Sequence, residues 1–103
     1  MSTLPTVRTL ADIAPNAGKR ATIEGVLRRV PLRKGDASHP ATALFLSDGT
    51  QIWVSYGDLP AGWEGFVDKP IVVEATVWKG PPPGSKQAVG GPHVSDWGAP
   101  RAP

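Results

Sequence analysis

Glycine and proline occur along the whole sequence, and their spacing limits every helix or strand to a short segment. The chain has 103 residues, of which 12 are glycine and 12 are proline, about twice the average share of either residue. Both residues are disfavoured inside helices and strands. The sequence therefore predicts one turn-rich domain with a modest core, since a chain of this size buries about two thirds of its unfolded surface.

Between these breakers lie segments in which apolar and polar residues alternate, as they do in half-buried strands. The predicted strands are residues 19–30, 42–47, 50–56, 70–79 and 88–97, the last of them broken by Gly90-Gly91-Pro92. The apolar positions of the first four strands supply the predicted core, which consists of Ile23, Leu27, Leu44, Leu46, Ile52, Val54, Ile71, Val73 and Val77.

The bend within the first predicted strand and the turns between strands are also predicted by particular residues. Gly25, in the middle of the first predicted strand, indicates a bulge or a sharp bend, as at the corner of a barrel. Asp48-Gly49 predicts a hairpin turn with positive φ at both residues. Residues 57–69 break the strand pattern and allow at most about two helical turns, from Pro60 to Val67, with Trp63 placed to plug a core.

Residues 18–97 show a defined order of predicted elements. They begin with a long bent strand and a loop, continue with a hairpin and a short helix, and end with a strand, a loop and a last strand. This order resembles the OB-fold, a five-stranded Greek-key barrel, in which a short helix between strands three and four plugs the bottom. The predicted fold class is therefore an all-β, OB-like barrel, with residues 1–17 as an N-terminal arm and 98–103 as a C-terminal tail. An SH3-like barrel and a small β-sandwich are the alternatives that the strand pattern leaves open.

The resemblance implies a ligand face on strands two and three, flanked by two loops, which are residues 29–41 and 79–87 here. With the end of the first strand, these loops hold one acid, Asp36, and six of the 11 basic residues, namely Arg28, Arg29, Arg33, Lys34, Lys79 and Lys86. A chain whose net charge is only +2 would thus carry one locally positive cleft.

Two tryptophans complete the predicted cleft. Trp53 and Trp78 have the outward parity of strands three and four, so we expect exposed rings, with Trp53 as the main platform for base stacking. A basic groove lined by aromatic rings is typical of proteins that bind single-stranded nucleic acid. We therefore predict a non-catalytic OB-fold domain that binds single-stranded DNA or RNA.

A protein-interaction module, or a small accessory subunit of a larger assembly, is the alternative. Tryptophan and arginine are residue types enriched at binding hot spots. Pro81-Pro82-Pro83 would form an extended segment with little ordering cost, and the tail, residues 98–103, could dock on a partner. The sequence leaves the oligomeric state open.

Catalysis and metal binding find little support in the sequence. The absence of cysteine excludes thiolate sites and disulfides. His93, Ser95 and Asp96 are the residue types of a hydrolytic triad, but such close neighbours cannot form its chain of contacts alone. His39 and His93 are the only histidines, and a metal site needs several convergent ligands. We expect no enzyme, no cofactor and no metal.

The sequence also bears on location. No apolar run approaches the ~20 residues that a membrane span needs. Residues 1–15 lack the apolar region of a secretory signal. We therefore expect a cytoplasmic protein that makes no contact with a membrane.

Overall fold

The computed structural model describes residues 4–31, 40–56, 59–82, 84 and 90–103. Within these ranges, strands dominate and the helices are short 3₁₀ turns. The strands are β1 (Thr6–Val7), β2 (Lys19–Pro31), β3 (Pro40–Phe45), β4 (Gln51–Ser55), β5 (Pro70–Trp78) and β6 (His93–Ser95).

Five of these strands form a closed barrel. The order in the sheet is β1-β2-β3-β4-β6-β5, and β5 also pairs with β2, which closes the barrel from β2 to β6. β4 and β6 are parallel, whereas the other neighbours within the barrel are antiparallel. The predicted all-β, OB-like barrel with one short helix between its third and fourth strands is therefore confirmed.

Gly25 is the point at which β2 passes from one neighbour to the other. Residues before it pair with β5, and residues after it pair with β3, while Val26 is in register with both Pro70 and Phe45. A Cβ atom at Gly25 would lie only 2.8 Å from the Phe45 carbonyl oxygen. The bend predicted at this glycine is confirmed, because no larger residue allows β3 to approach so closely.

The core fills the barrel as the alternation predicts. Each predicted core residue is buried, and all of them belong to one apolar cluster. Val7 and Ile13 of the N-terminal arm join this cluster, so the arm covers part of the barrel, as expected of an amphipathic segment at an open end.

The helix between the third and fourth barrel strands is shorter than the predicted span of 60–67. A 3₁₀ turn covers only Glu64–Phe66, because Gly62 just before it has a φ of 88°. Trp63 still plugs the core, with 2% of its surface exposed, and its ring meets Trp97 edge to face at 6.0 Å. None of the helices in the described ranges has the length and apolar character needed to cross a membrane.

The hairpin between β3 and β4 also differs from its prediction. Gly49 has a φ of 86°, but Asp48 does not have a positive φ. The N–H of Gly49 donates to the Leu46 carbonyl at 2.9 Å, and Asp48 Oδ1 accepts from the N–H of Thr50 at 3.1 Å. The left-handed residue is therefore only the glycine, as in hairpins with one more loop residue.

The tail pairs with the barrel of its own chain. Val72 and Arg101 exchange backbone hydrogen bonds of 2.8 and 3.0 Å, and the N–H of Gly98 donates to the Glu74 carbonyl at 2.8 Å. These bonds run along β5 beyond the point where β6 ends. Two backbone N–H groups of the tail, those of Gly98 and Arg101, thus donate within the molecule, and the docking of residues 98–103 on a partner stays a prediction.

Candidate ligand-binding face

The OB-like resemblance places a ligand on the outer surface of β3 and β4, the second and third strands of the barrel, and the adjoining end of β2 extends this surface. The core side of these strands carries Leu27, Leu44 and Ile52, all of them fully buried. Because side chains alternate along a strand, the residues between them point outward. We call this surface the outer face, and its side chains are Val26, Arg28, Val30, Ala41, Ala43, Phe45 and Trp53.

A cation and an aromatic ring meet on the outer face. The guanidinium carbon of Arg28 lies 5.6 Å from the centroid of the Phe45 ring. Arg28 is exposed and Phe45 is half-buried. The ring quadrupole attracts a cation in this position, so the pair offers positive charge and an aromatic surface to the same ligand.

Trp53 points to the outer face, as its parity predicts, but the prediction that its ring is exposed is wrong. Only 7% of the residue is accessible. Its Nε1 donates to the Gly90 carbonyl at 3.3 Å, and its backbone N–H donates to the Pro92 carbonyl at 2.9 Å. The chain's own loop before β6 therefore engages the indole, and too little of the ring is exposed for a base to stack on it.

Trp78, the second predicted platform, is half-buried and engaged within the chain. Its Nε1 donates to Ser95 Oγ at 2.8 Å. Its ring also passes over Gly18, where an added Cβ would lie 3.6 Å away. Trp78 thus braces β5 against β6, while Lys79 beside it is exposed.

Arg29 serves the barrel itself. Its Nη1 donates to Thr42 Oγ1 at 2.9 Å, and its Nη2 donates to the Pro40 carbonyl at 3.1 Å. These bonds join the end of β2 to the start of β3. Among the predicted basic residues that the structure describes, Arg28 is therefore the one that lies on the outer face beside an aromatic ring.

Part of the predicted cleft falls outside the described residues. Arg33, Lys34 and Lys86 all lie in segments that the structure does not describe. The convergence of these cations with Arg28 and Lys79 stays a prediction.

A hydrogen-bonded pair, formed by the half-buried Tyr56 and the buried His93, lies beside Trp53 and was not predicted from the sequence. The Tyr56 hydroxyl hydrogen-bonds to His93 Nε2, and His93 Nδ1 lies 2.8 Å from the Gly91 carbonyl. A carbonyl only accepts, so Nδ1 carries the proton and Nε2 accepts from the tyrosine. Burial lowers the pKa of His93 against a smaller opposing effect of the Gly91 carbonyl, so the ring is neutral at pH 7.

The aromatic rings around this pair contact one another edge to face. The ring centroids of Trp53 and Tyr56 are 6.3 Å apart, and those of Tyr56 and His93 are 5.5 Å apart. A cavity of about 130 Å³ adjoins them, with Val54 and Pro82 in its lining. Tyr56 was missed because β4 ends at Ser55, after which strand alternation no longer sets the direction of a side chain.

A larger groove of about 390 Å³ lies where the outer face meets the N-terminal arm. We call it the bend groove, because it runs past the bend of β2. Val26, Phe45 and Ile71 give it apolar walls, and Arg8 and Glu24 line its charged side.

An ion pair marks the charged side of the bend groove. Arg8 Nη2 lies 3.0 Å from Glu24 Oε2, and the two side chains are 63% and 34% exposed. Arg8 Nε donates to the same oxygen at 3.1 Å. The sequence offered no signal for this site, since Arg8 and Glu24 are separated along the chain and belong to different elements.

The described residues contain no group of three histidine or acidic side chains that could hold a metal ion. Comparison with protein-family models, with curated proteins and with solved structures finds no match to this chain. The barrel topology and the geometry of the outer face are therefore the basis for assigning a function.

Proposed function

We propose that this chain is a non-catalytic binding domain that takes single-stranded nucleic acid on its outer face. The observation that carries the proposal is the Arg28 guanidinium held against the half-buried Phe45 ring, 5.6 Å from its centroid. Aromatic rings beside cations are the elements with which OB-fold proteins hold unpaired strands. The proposal assigns no reaction and no cofactor to the chain, and the cytoplasmic location stays a prediction.

Phe45 takes over the stacking role that the sequence suggested for Trp53. A base stacked on an aromatic side chain contributes about 1–3 kcal/mol to binding. Arg28 can donate to a phosphate while its plane lies near the ring. Arg28 supplies positive charge to the outer face, and the carboxylate of Glu24, which has the same parity on β2, is paired with Arg8 at 3.0 Å.

Fluorescence anisotropy with a labelled strand of about 10 nucleotides tests the proposal, because one OB barrel covers about 4–16 nucleotides. We expect binding that weakens as salt rises, since contacts to phosphates release counterions. Phe45→Ala should lower the affinity at least about 10-fold, as expected for the loss of a stacked base. The absence of binding by the folded wild-type chain at low salt would exclude the proposal.

Arg28→Ala and Lys19→Ala form a matched pair, because each removes one positive charge from β2. Lys19 is exposed at the opposite end of that strand. We expect Arg28→Ala to reduce both the affinity and its salt dependence, whereas Lys19→Ala leaves both nearly unchanged. Equal effects of the two variants would indicate attraction by overall charge without a defined face.

A protein partner is the second candidate function, and the half-buried side chains of Val30, Phe45 and Tyr56 favour it. Val30 and Tyr56 pack against the cluster formed by Ala41, Ala43 and Trp53. Apolar and aromatic residues flanking an arginine are typical of interface hot spots. Affinity purification from the native cell, analysed for both protein and nucleic acid, separates the two functions. Recovery of one defined protein, lost with Val30→Asp and without bound nucleic acid, would favour the partner.

A further inference from the structure

The bend groove runs from the ring of Phe45 to the C-terminal tail. Phe45 and Pro103 both line it. Between them, Val26 is the register partner of Phe45 on β3 and of Pro70 on β5, and both Val26 and Pro70 line the groove as well. One apolar row therefore crosses β3, β2 and β5 and ends at the tail.

A second row of side chains lies beside the apolar row. Glu24 is the register partner of Val72, and Val72 forms a bridge with Arg101 of the tail. Register partners point to the same face of a sheet. Val72 has the outward parity of β5, since Ile71 and Val73 on either side of it are fully buried in the core. The side chain of Arg101 therefore starts on the outer surface, at the tail end of this second row.

Arg101 carries the uncompensated positive charge of the second row. At the other end of the row, Arg8 donates to Glu24 Oε2 through both Nε and Nη2, so these two charges offset each other. The Arg101 side chain is exposed and has no hydrogen bond or ion pair with any described residue. Its backbone, in contrast, is held by bonds of 2.8 and 3.0 Å to Val72. A guanidinium without a partner is thus anchored at a fixed place beside the groove.

We propose that Arg101 of the tail binds a phosphate of the single strand that stacks on Phe45. This inference rests on the proposed function. The bases follow the apolar row, and the sugar-phosphate backbone runs along the second row towards the tail. A guanidinium donates two parallel hydrogen bonds to a phosphate, and such contacts position a strand without reading its sequence. The tail is therefore part of the binding site.

A short strand is long enough to reach both residues. Phe45 and the tail are separated by β2 and β5, which is three strand spacings or about 14 Å. One OB barrel covers about 4–16 nucleotides, so a strand of about 10 nucleotides spans this distance. Arg28 lies two residues after Val26 on β2 and Glu24 lies two residues before it. Arg28 and Arg101 thus hold the strand on opposite sides of the apolar row.

Arg101→Gln removes the charge of the side chain and keeps the backbone N–H that bonds to Val72. Anisotropy titrations with an oligothymidine of about 10 nucleotides measure its effect at several salt concentrations. We expect the affinity to fall about 5-fold at about 0.1 M salt and the salt slope to fall by about 0.7, as for one lost phosphate contact on a single strand. Arg101→Lys should retain the slope, because it retains the charge.

Lys19→Gln is the matched control, since it removes one exposed positive charge from the start of β2. Lys19 is in register with Val77, five residues along β5 from the bridge at Val72. We expect Lys19→Gln to change neither the affinity nor the salt slope.

Hydrogen exchange of one amide shows whether the tail stays in place. The N–H of Val72 donates to the Arg101 carbonyl at 2.8 Å, so its exchange reports the opening of the tail. We expect the bound strand to slow this exchange in the wild-type chain, and to slow it less in Arg101→Gln. Faster exchange on binding would overturn the inference, because the strand would then displace the tail.

The outcomes separate this inference from the proposed function. Wild-type affinity and salt slope in Arg101→Gln would overturn the phosphate contact and leave single-strand binding in place. Equal losses in Arg101→Gln and Lys19→Gln would also overturn it, because overall charge would then explain both. Binding of no strand by the wild-type chain at low salt would overturn the inference and the proposed function together.

Discussion

Two aromatic residues on the outer face have opposite surroundings. Trp53 of β4 hydrogen-bonds to the chain's own loop at Gly90 and exposes 7% of its surface, whereas Phe45 of β3 is half-buried and has the exposed side chain of Arg28 beside its ring. Both have the outward parity of their strands. Alternation therefore gives the direction of a side chain, and a distant loop decides whether solvent or a ligand reaches it.

The part of the outer face around Trp53, which we call the covered side, is held by polar contacts where β4 meets β6. β4 and β6 share a single register pair, between Trp53 and His93. Tyr56, His93 and the Gly91 carbonyl form a chain of hydrogen bonds beside it. No such chain of hydrogen bonds is present around Phe45 among the described residues. We therefore expect the Trp53 side to contribute more to stability, and the proposed binding falls on the Phe45 side.

Replacing Trp53 and Phe45 by alanine tests whether the two rings differ in their contribution to stability. Of the changes considered, this one has the largest expected effect. Trp53→Ala should reduce the free energy of unfolding by about 3–5 kcal/mol, because a buried indole leaves a cavity. Phe45→Ala should cost about 1 kcal/mol, since the ring is only half-buried. Urea denaturation followed by circular dichroism measures both values.

The same two variants should show the opposite order in oligonucleotide binding. While it remains folded, Trp53→Ala should bind a labelled strand as the wild type does, and Phe45→Ala should bind weakly. A stable Trp53→Ala variant that loses binding would return the stacking role to Trp53.

The sequence predicts the barrel much better than it predicts the face. Alternation in Ile23, Leu44 and Val73 and the glycine at the bend of β2 are local signals, and each led to the correct core or connection. The exposure of Trp53 depends on Gly90 and Pro92, which are far along the chain and show no periodicity. Contacts of this kind are set by tertiary packing, so no local pattern predicts them.

Removal of the Tyr56 hydroxyl tests the chain of hydrogen bonds through His93 that lies beside Trp53. Tyr56→Phe keeps the ring contacts and leaves His93 Nε2 without its donor, so it should destabilise the chain by about 1 kcal/mol. The tryptophan fluorescence, to which all four indoles of the chain contribute, should shift to longer wavelength if the loop at Gly90 moves away from Trp53. An unchanged free energy of unfolding would mean that packing alone keeps β4 and β6 together at this point.

Acidification should weaken the covered side through His93. Burial lowers its pKa in the folded state from the ordinary value of 6.5, so the unfolded chain binds the proton more readily. The contribution of His93 to the free energy of unfolding should therefore be fully present above pH 6.5. It should fall as the pH drops towards the lowered pKa and level off below that pKa. Urea denaturation between pH 5 and pH 8 measures this slope.

The matched variants for this prediction are His93→Gln and His39→Gln, which change the two histidines of the chain. His93→Gln should abolish the slope, and His39→Gln should keep it. The carboxyls of Asp12 and Asp48 accept backbone hydrogen bonds that lower their pKa values below 3.8, so their contribution to stability is lost only in more acidic solution. A slope that survives His93→Gln would assign the effect to another group.

The smallest expected effect concerns the Phe45 side, where Arg28→Lys keeps the charge and removes the planar guanidinium. The contact with Phe45 is exposed, so its loss should change the free energy of unfolding by less than about 1 kcal/mol. Binding should respond more than stability does, because a lysine cannot lie flat beside a stacked base or donate two parallel hydrogen bonds to a phosphate. Anisotropy titrations should show a weaker affinity with the same salt dependence, since the number of charges is unchanged. A variant that binds as the wild type does would reduce the role of Arg28 to charge and leave Phe45 as the residue that distinguishes the two sides.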